Sequence, residues 1–264
     1  MGAPVLRVVP SSRTVTEDLV NAEYDSIALQ YQQTKNSPLR RFVESYTLLD
    51  LIGDVSGLSV LDLACGDGFY TRKVKEQGAA RVLGVDISPA MIGLAEEQER
   101  SQPLGIEYVC CDVQTMPDLG LFDLVIAAYL LHYAPGESQL VQMCERIAAH
   151  LRPGGRFVSL NENPRQSLEQ YAGYTQYGFN KTAEAPLRDG SPITYWLVSG
   201  REMISFTAFF YDTGTYERVF GAAGLTMVQW HQLKLSEEGL VNHGPEYWKE
   251  YMNNPPVVGI ECRR

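Results

Sequence analysis

The stretch Val60-Leu61-Asp62-Leu63-Ala64-Cys65-Gly66-Asp67-Gly68-Phe69-Tyr70 limits most sharply what this chain can fold into. Val60 to Leu63 reads as a buried strand, and two glycines a residue apart follow it. A helical run then starts at about Phe69 and ends near Gln77-Gly78, where Gly78 is a natural C-terminal stop. A second strand, Arg81-Val82-Leu83-Gly84-Val85-Asp86, finishes in an acid. Asp86 lies 20 residues after Gly66, the distance at which a carboxylate can accept from ribose hydroxyls. Strand, glycine turn, helix and strand make a nucleotide-binding βαβ unit, which sets the fold class as α/β.

The turn also restricts the nucleotide. A dinucleotide fingerprint needs a third glycine for close helix packing near the pyrophosphate, and that place is held by Thr71. No Gly-Lys-Ser/Thr run makes a P-loop. Asp62 and Asp67 would repel an anionic pyrophosphate but suit a ligand that carries an ammonium and a sulfonium. That charge pattern points to S-adenosylmethionine, its ribose at Asp86 and its amino acid end over the glycine turn. A nicotinamide oxidoreductase is disfavoured by Thr71 and by the same acids.

The run Asp62-x-Ala64-x-Gly66-x-Gly68, followed by Gly84-Val85-Asp86-Ile87-Ser88, closely resembles motifs I and II of the class I S-adenosylmethionine-dependent methyltransferases. Cys111-Asp112-Val113, Phe122 to Ala128 and Leu151-Arg152-Pro153-Gly154-Gly155-Arg156-Phe157-Val158 match later segments of that family. Ala64 departs from the pattern, because the family often has glycine there. The resemblance runs from about Tyr24 to Leu160, and within the family the chain looks most like the toxoflavin-synthase-like branch of small-molecule methyltransferases.

The resemblance implies a Rossmann-like fold: a seven-stranded, mainly parallel sheet with helices on both faces and a lid insertion after the fifth strand. It implies S-adenosylmethionine as cofactor and S-adenosylhomocysteine as product, with Asp62, Ala64, Gly66, Gly68 and Asp86 around the cofactor. It further implies that Asp112 accepts from the adenine amine while the Val113 N–H reaches a ring nitrogen. Tyr24 and Tyr31 correspond to a lid helix closing over the methionine portion; the alternative is an amphipathic helix whose aromatics pack on the core. Ser88-Pro89 opens a helix beside the adenosine, so Ile87 and Met91 are expected to sandwich the adenine. Core packing alone would also account for Met91, and a plain turn acid for Asp112.

Charge narrows the acceptor. Twenty-two basic against thirty-two acidic residues leave a net charge of −10, and such a field opposes a nucleic acid substrate. A small-molecule acceptor is expected, with no nucleic acid and no membrane partner. No apolar run approaches the ~18 residues that span a bilayer, and Met1 to Pro10 lacks the core of a signal peptide. Five cysteines, an odd number without metal-ligand spacing, suit reduced thiols and a cytoplasmic protein, and no metal site is expected. Oligomeric state is not legible in the sequence.

In chain order, residues 1–16 read as a flexible arm and residues 17–264 as a single methyltransferase domain. Within it, 17–57 carry the N-terminal lid and first helices, including a helix from Leu39 to Ile52 opened by Pro38. Residues 58–160 form the cofactor-binding core. Residues 161–212 form an acceptor-lid insertion whose Ile193–Val198 and Glu202–Tyr211 alternate like a hairpin turning at Ser199-Gly200. Residues 213–264 supply the last helix, Thr213 to Ala223, strands at Leu225–Leu233 and Val257–Cys262, and a long connection over 234–256.

The fourth strand, Leu121 to Ala128, is nearly all apolar and delivers Ala128-Tyr129-Leu130-Leu131-His132-Tyr133 to the crevice at the strand ends. Ala128 is expected against the cofactor, and Tyr129 and Tyr133 can donate or accept there. His132 is the best general-base candidate, since an unperturbed imidazole titrates at ~6.5; the alternative is a histidine that hydrogen-bonds a neighbour. Glu162 and Asn163, just past the fifth strand, are placed by fold analogy against the acceptor. Fifteen tyrosines, several of them crowding the insertion, favour a flat heteroaromatic acceptor methylated at nitrogen or carbon. Aromatics that simply pack a hairpin would give the same count. An O-methyltransferase of a small metabolite and a non-catalytic cofactor-binding protein are the competing functions.

Overall fold

The computed structural model describes residues 37–199 and 202–264. The expected arm and the tyrosines Tyr24 and Tyr31 lie outside the described residues, as does Gly200. Ten strands are present among the described residues. These are β1 (Ser59–Leu63), β2 (Arg81–Asp86), β3 (Glu107–Cys110), β4 (Phe122–Ala128), β5 (Leu151–Glu162), β6 (Phe179–Ala183), β7 (Pro192–Ser199), β8 (Glu202–Phe209), β9 (Thr226–His231) and β10 (Val257–Arg263). Seven of them form one sheet in the order β3-β2-β1-β4-β5-β10-β9. Within it only β10 runs antiparallel to its neighbours, so the sheet is mainly parallel, as the family resemblance implies.

A strand covered on both faces is apolar along its buried length, and β4 shows why Leu124 to Ala128 reads as it does, with Asp123 half-buried at its start and accepting from Ser59. Leu124 and Ile126 face one core, which also holds Val60, Val158, Leu160, Val43, Leu48, Ile52 and Val74. Val125 and Ala127 face the other, with Leu61, Leu63, Leu140, Met143, Ile147 and Phe220. The period of two along the strand sorts alternate side chains into the two cores. Helices cover both faces: α1 (Ser45–Ile52), α2 (Phe69–Glu76), α3 (Pro89–Ser101), α4 (Glu137–Ala149), α5 (Thr213–Ala222), α6 (Glu237–His243) and α7 (Pro245–Asn253). Ser88 caps α3 by accepting from the Met91 N–H at 3.2 Å, and Pro89 occupies its first position.

Three local readings change. The Leu39–Ile52 helix opens with a π-helical turn over Arg40–Glu44 before α1 begins. Pro153-Gly154-Gly155, which the sequence marks as a turn between a helix and the fifth strand, is the bulged start of β5, where the pairing with β4 jumps from Phe122↔Leu151 to Leu124↔Arg156. The connection over 234–256 contains α6 and α7, capped by Ser236 and opened by Pro245 respectively. Its short amphipathic runs were masked by Gly239 and Gly244, and it packs on the N-terminal helices through Trp248, 1 % exposed.

The insertion builds a second sheet of three antiparallel strands, β6-β7-β8. The expected hairpin is there, as β7 and β8, and β6 adds an edge that the polar sequence Phe179-Asn180-Lys181-Thr182-Ala183 conceals.

Candidate active site

The sheet order reverses between β1 and β4, and ligands of open α/β sheets bind in the crevice outside the strand ends at such a point. Ala64, after β1, has φ 55°, and Tyr129, after β4, has φ 68°. Two non-glycine residues are thus held in the left-handed region on either side of this crevice. Such strain persists only where the surroundings over-determine it, and it gathers at functional sites. It also explains why glycine suits position 64 and why alanine, the smallest side chain after glycine, can stand in.

The glycine turn is braced from below. Cys65 N–H donates to Val85 O at 3.0 Å and Gly68 N–H to Cys65 O at 3.1 Å. A Cβ at Gly68 would collide with the Tyr108 hydroxyl, and one at Gly84 would come within 2.7 Å of the Tyr108 ring. Glycine at both places lets a tyrosine from β3 pack under the turn. Asp86 holds the turn from the side: its Oδ2 accepts from Gly66 N–H at 2.7 Å and its Oδ1 from Ser88 N–H at 2.9 Å. Asp62, 1 % exposed, accepts from the Thr71 hydroxyl at 2.6 Å. Thr71, which breaks the dinucleotide fingerprint, therefore serves to fix an acid under the turn. Asp112 accepts from Gln114 N–H at 2.8 Å and stands half-buried at the carboxyl side of β3.

Acids thus close β1, β2 and β3 at one end of the sheet. A donor set of carboxylates and backbone N–H groups fits a ligand with ribose hydroxyls, an exocyclic amine and positive charge, which is the make-up of S-adenosylmethionine. Asp86 would hold the ribose, Asp112 and Val113 the adenine, and the Ala64–Gly68 turn the amino acid end. Ile87 and Ala128 are half-buried at the crevice, whereas Met91 is 2 % exposed and Val113 is buried.

The other side of the crevice is built by β4, β5 and the second sheet. His132 lies on a 3-10 turn, Leu131–Tyr133, directly after β4. The side-chain oxygen of Asn161 on β5 accepts from the His132 backbone N–H at 3.1 Å and lies 3.0 Å from its Nδ1. Asn161 Nδ2 donates to the Tyr216 hydroxyl at 2.7 Å. Nε2 of His132 meets no hydrogen-bond partner among the described residues. Burial, together with the Lys181 ammonium, pushes the imidazole down to about 4 against the opposing Asn161 bond, so the ring is neutral at neutral pH. Tyr129 behaves oppositely. Burial first, then the Glu44 carboxylate, raises its phenol well above the ordinary value, so it remains a donor. The Arg40 guanidinium lies 5.7 Å over its ring.

Glu162 and Asn163 have definite partners. Glu162 accepts from Lys181 Nζ and from the Tyr195 hydroxyl, both from the second sheet. Lys181 is itself buried, its Nζ 4.1 Å from the centre of the Tyr171 ring. Asn163 donates to Pro255 O at 2.9 Å and accepts from Arg165 N–H at 3.0 Å. Glu162 is thus the anchor of an ion pair that ties the second sheet to β5. Lys181 and Asn161 went unseen in the sequence. Lys181 hides in a polar-looking edge strand, while Asn161 beside Glu162, a pair of polar residues ending a buried strand, was the available signal.

Aromatic rings run from the second sheet to His132. Tyr174 stacks on Phe179 at 4.7 Å between centroids, Phe179 lies 6.3 Å from Tyr195, and Tyr195 stacks on its strand partner Phe206 at 5.0 Å. Phe206 lies 6.2 Å from Tyr133, and Tyr133 lies 4.5 Å from the His132 ring. Many tyrosines are committed to the scaffold as well. The hydroxyls of Tyr174, Tyr177 and Tyr211 donate to the carbonyls of Asn254, Tyr247 and Ala134 at 2.6, 2.5 and 2.9 Å.

A mainly parallel sheet in this order, with acids at or beside its strand ends and a glycine turn at the reversal point, defines a Rossmann-like methyltransferase. Residues 60–155 match a family model described as a methyltransferase domain. The chain is 31% identical over 154 residues to a ubiquinone biosynthesis O-methyltransferase of Coxiella burnetii, covering 55% of this chain and 64% of that one. It therefore spans a little under two thirds of that relative's length. It is 30% identical over 167 residues to the N-demethylindolmycin N-methyltransferase of Streptomyces griseus, covering 62% of this chain and 68% of that one. Among solved structures, an S-adenosylmethionine-dependent methyltransferase from Mesorhizobium loti shares the fold. Its TM-score is 0.60 at 21% identity, covering 88% of this chain and all of that one. The chain belongs to the class I S-adenosylmethionine-dependent methyltransferases. The names of the two curated relatives divide between oxygen and nitrogen, so membership of the family does not carry the toxoflavin-synthase-like branch with it.

Proposed function

We propose that this protein transfers the methyl group of S-adenosylmethionine to a nitrogen or carbon of a small, planar heteroaromatic molecule. The observation that carries this reading is His132: a neutral imidazole whose Nε2 has no hydrogen-bond partner among the described residues, at the end of the aromatic run and beside the crevice bordered by Asp62, Asp86 and Asp112. When bound, S-adenosylmethionine would supply a methyl group on a sulfonium, the sulfur leaving as a neutral thioether as an electron pair of the acceptor forms the new bond. The rest falls to the chain. Residues 161–212 act as the acceptor lid, the Tyr133 and Phe206 rings orient a flat acceptor, and Tyr129 donates a hydrogen bond. His132 Nε2 takes the proton that the acceptor gives up, and passes it to water.

The depressed imidazole helps to choose the acceptor. A base near pH 4 is poorly matched to a phenol, whose proton leaves at about pH 10. It is well matched to a nitrogen or ring carbon that becomes strongly acidic as it is methylated. O-methylation is the second reading, favoured by the name of the Coxiella burnetii relative. We place the reaction in the cytoplasm on the sequence grounds given above, and take the net charge of −10 as support for a small acceptor rather than a nucleic acid.

Incubation with methyl-labelled S-adenosylmethionine and a panel of N-heteroaromatics, electron-rich carbocycles and phenols tests the proposal. Label should pass to a heteroaromatic nitrogen or carbon and fall sharply in His132→Ala. Label passing only to phenols would favour the second reading. Binding of cofactor without transfer to any acceptor class would favour the non-catalytic alternative.

A further inference from the structure

Asn161 is fully buried at the end of β5, and every polar atom of its side chain is used. Its oxygen faces two nitrogens of the same residue, the backbone N and Nδ1 of His132. A backbone N–H can only donate, so the Asn161 atom that receives it must be the oxygen. The same oxygen can then only accept from Nδ1, which must carry the ring proton. The amide cannot be flipped, because that would set its NH2 against a backbone N–H and turn its oxygen toward Tyr216. The lone pair is thereby left on Nε2, the ring nitrogen with no partner among the described residues.

We propose that Asn161 is a positioning residue, holding His132 as the Nδ1–H tautomer and turning its Nε2 lone pair toward the methyl acceptor. The inference deepens the reading of His132 as the base and rests on it. Tyr216 on α5 fixes Asn161 in turn, so the chain of contacts is Tyr216, Asn161, His132, acceptor. In the reaction the acceptor's X–H bond breaks, its proton bonds to Nε2, and the pair left on X completes the methylated product. The ring becomes an imidazolium with Nδ1–H still on Asn161, then loses the new proton to water. A neutral amide serves this cycle differently from a carboxylate: it fixes the tautomer and stabilises the imidazolium less than a full negative charge would, so proton release stays easy.

Among the described residues, the charged and titratable groups around the ring are the Lys181 ammonium on β6, itself paired with the Glu162 carboxylate on β5, the phenols of Tyr129 and Tyr133 beside it, and that of Tyr216 behind Asn161. Asn161→Asp keeps an acceptor for both His132 N–H groups and adds a negative charge. Asn161→Leu keeps the volume and removes the acceptor. Both are read by nitrogen-15 spectra of histidine-labelled protein, which report the tautomer without turnover, and by the pH profile of kcat/KM.

In the unaltered protein the spectra should show His132 protonated at Nδ1, and the acid limb of kcat/KM should lie near pH 4. Asn161→Asp should keep the tautomer and carry the acid limb upward by a pH unit or more. Asn161→Leu should mix the tautomers and lower kcat by roughly a hundredfold, the scale at which general-base contributions begin, with S-adenosylhomocysteine binding retained. An Nε2–H ring in the unaltered protein, or an Asn161→Leu protein whose tautomer and acid limb are unchanged, would overturn the positioning role. The base reading fails separately, if His132→Ala turns over normally while the spectra still show Asn161 fixing the tautomer. If Asn161→Leu does not fold, the acid limb of Asn161→Asp decides alone: an unmoved limb overturns the proposal.

Discussion

The two walls of the crevice are made in opposite ways. The wall toward β1, β2 and β3 is built from backbone and short side chains: a glycine turn, three aspartates at strand ends, and hydrogen bonds such as Asp86 to Gly66 N–H at 2.7 Å. The wall toward β5 and the second sheet is built from long side chains that reach across a gap, with Lys181 and Tyr195 converging on Glu162. The first arrangement follows from the path of the chain. The second exists only once the insertion has folded back onto the sheet. On the function proposed above, the roles divide along the same line, with the cofactor on the backbone-made wall and the acceptor on the wall made by side chains.

The sharpest way to break this contrast is to remove one long side chain. Lys181→Met should cost about 3–5 kcal/mol in urea unfolding, because it leaves the Glu162 carboxylate buried without its cation. Adding Glu162→Gln to Lys181→Met should recover a large part of that loss. Simple additivity in the double variant would mean that the pair does not tie the second sheet to β5.

Acid should act on the same wall next. An unfolded histidine takes up its proton near pH 6.5, whereas folded His132 waits until about 4. The unfolded chain therefore binds more protons in that interval, so the fold loses stability as pH falls from about 6.5 to about 4. Comparing urea midpoints of the parent and His132→Gln across this range isolates the contribution, and the variant should show the shallower slope. Parallel slopes would contradict a depressed imidazole.

Changes on the backbone-made wall should be milder for the fold and visible mainly in binding. Asp112→Ala should weaken S-adenosylhomocysteine by roughly tenfold, the loss of about one charge-assisted hydrogen bond, with little change in melting temperature. The smallest effect belongs to Ala64→Gly. Relief of a left-handed alanine is nearly cancelled by the extra freedom of glycine in the unfolded chain, leaving a net change within about 1 kcal/mol. A loss of several kcal/mol would show that the Ala64 methyl group packs rather than strains.

What could be read from the sequence follows the same division. Strand β2 and the helix starts at Phe69 and Pro89 fall where the sequence places them, because each is marked by local chemistry: alternation, a glycine turn, a Ser-Pro cap. Asp62, Asp86 and Asp112 stand at strand ends because the spacing of a βαβ unit allows little else. Lys181 and the partners of Asn161 and Glu162 were illegible, since their meaning depends on residues 19 to 55 positions away brought together by packing. The tyrosines show the same limit. Their number suggested ring-binding walls, yet Tyr174, Tyr177 and Tyr211 use their hydroxyls to tie loops together, and only tertiary contacts separate those from Tyr133 beside His132. The helices over 237–253 were missed because both are short and Gly244 stands between them.

The central claim is that the acids at the ends of β1, β2 and β3 hold an adenosyl ligand, with Asp86 as the principal grip. Isothermal titration with S-adenosylhomocysteine on the parent protein and on folded Asp86→Ala tests it most directly. The parent should bind one equivalent with saturable heat, and the variant should bind at least about tenfold more weakly. A parent that takes up no ligand, or a variant that binds as tightly as the parent, would contradict it.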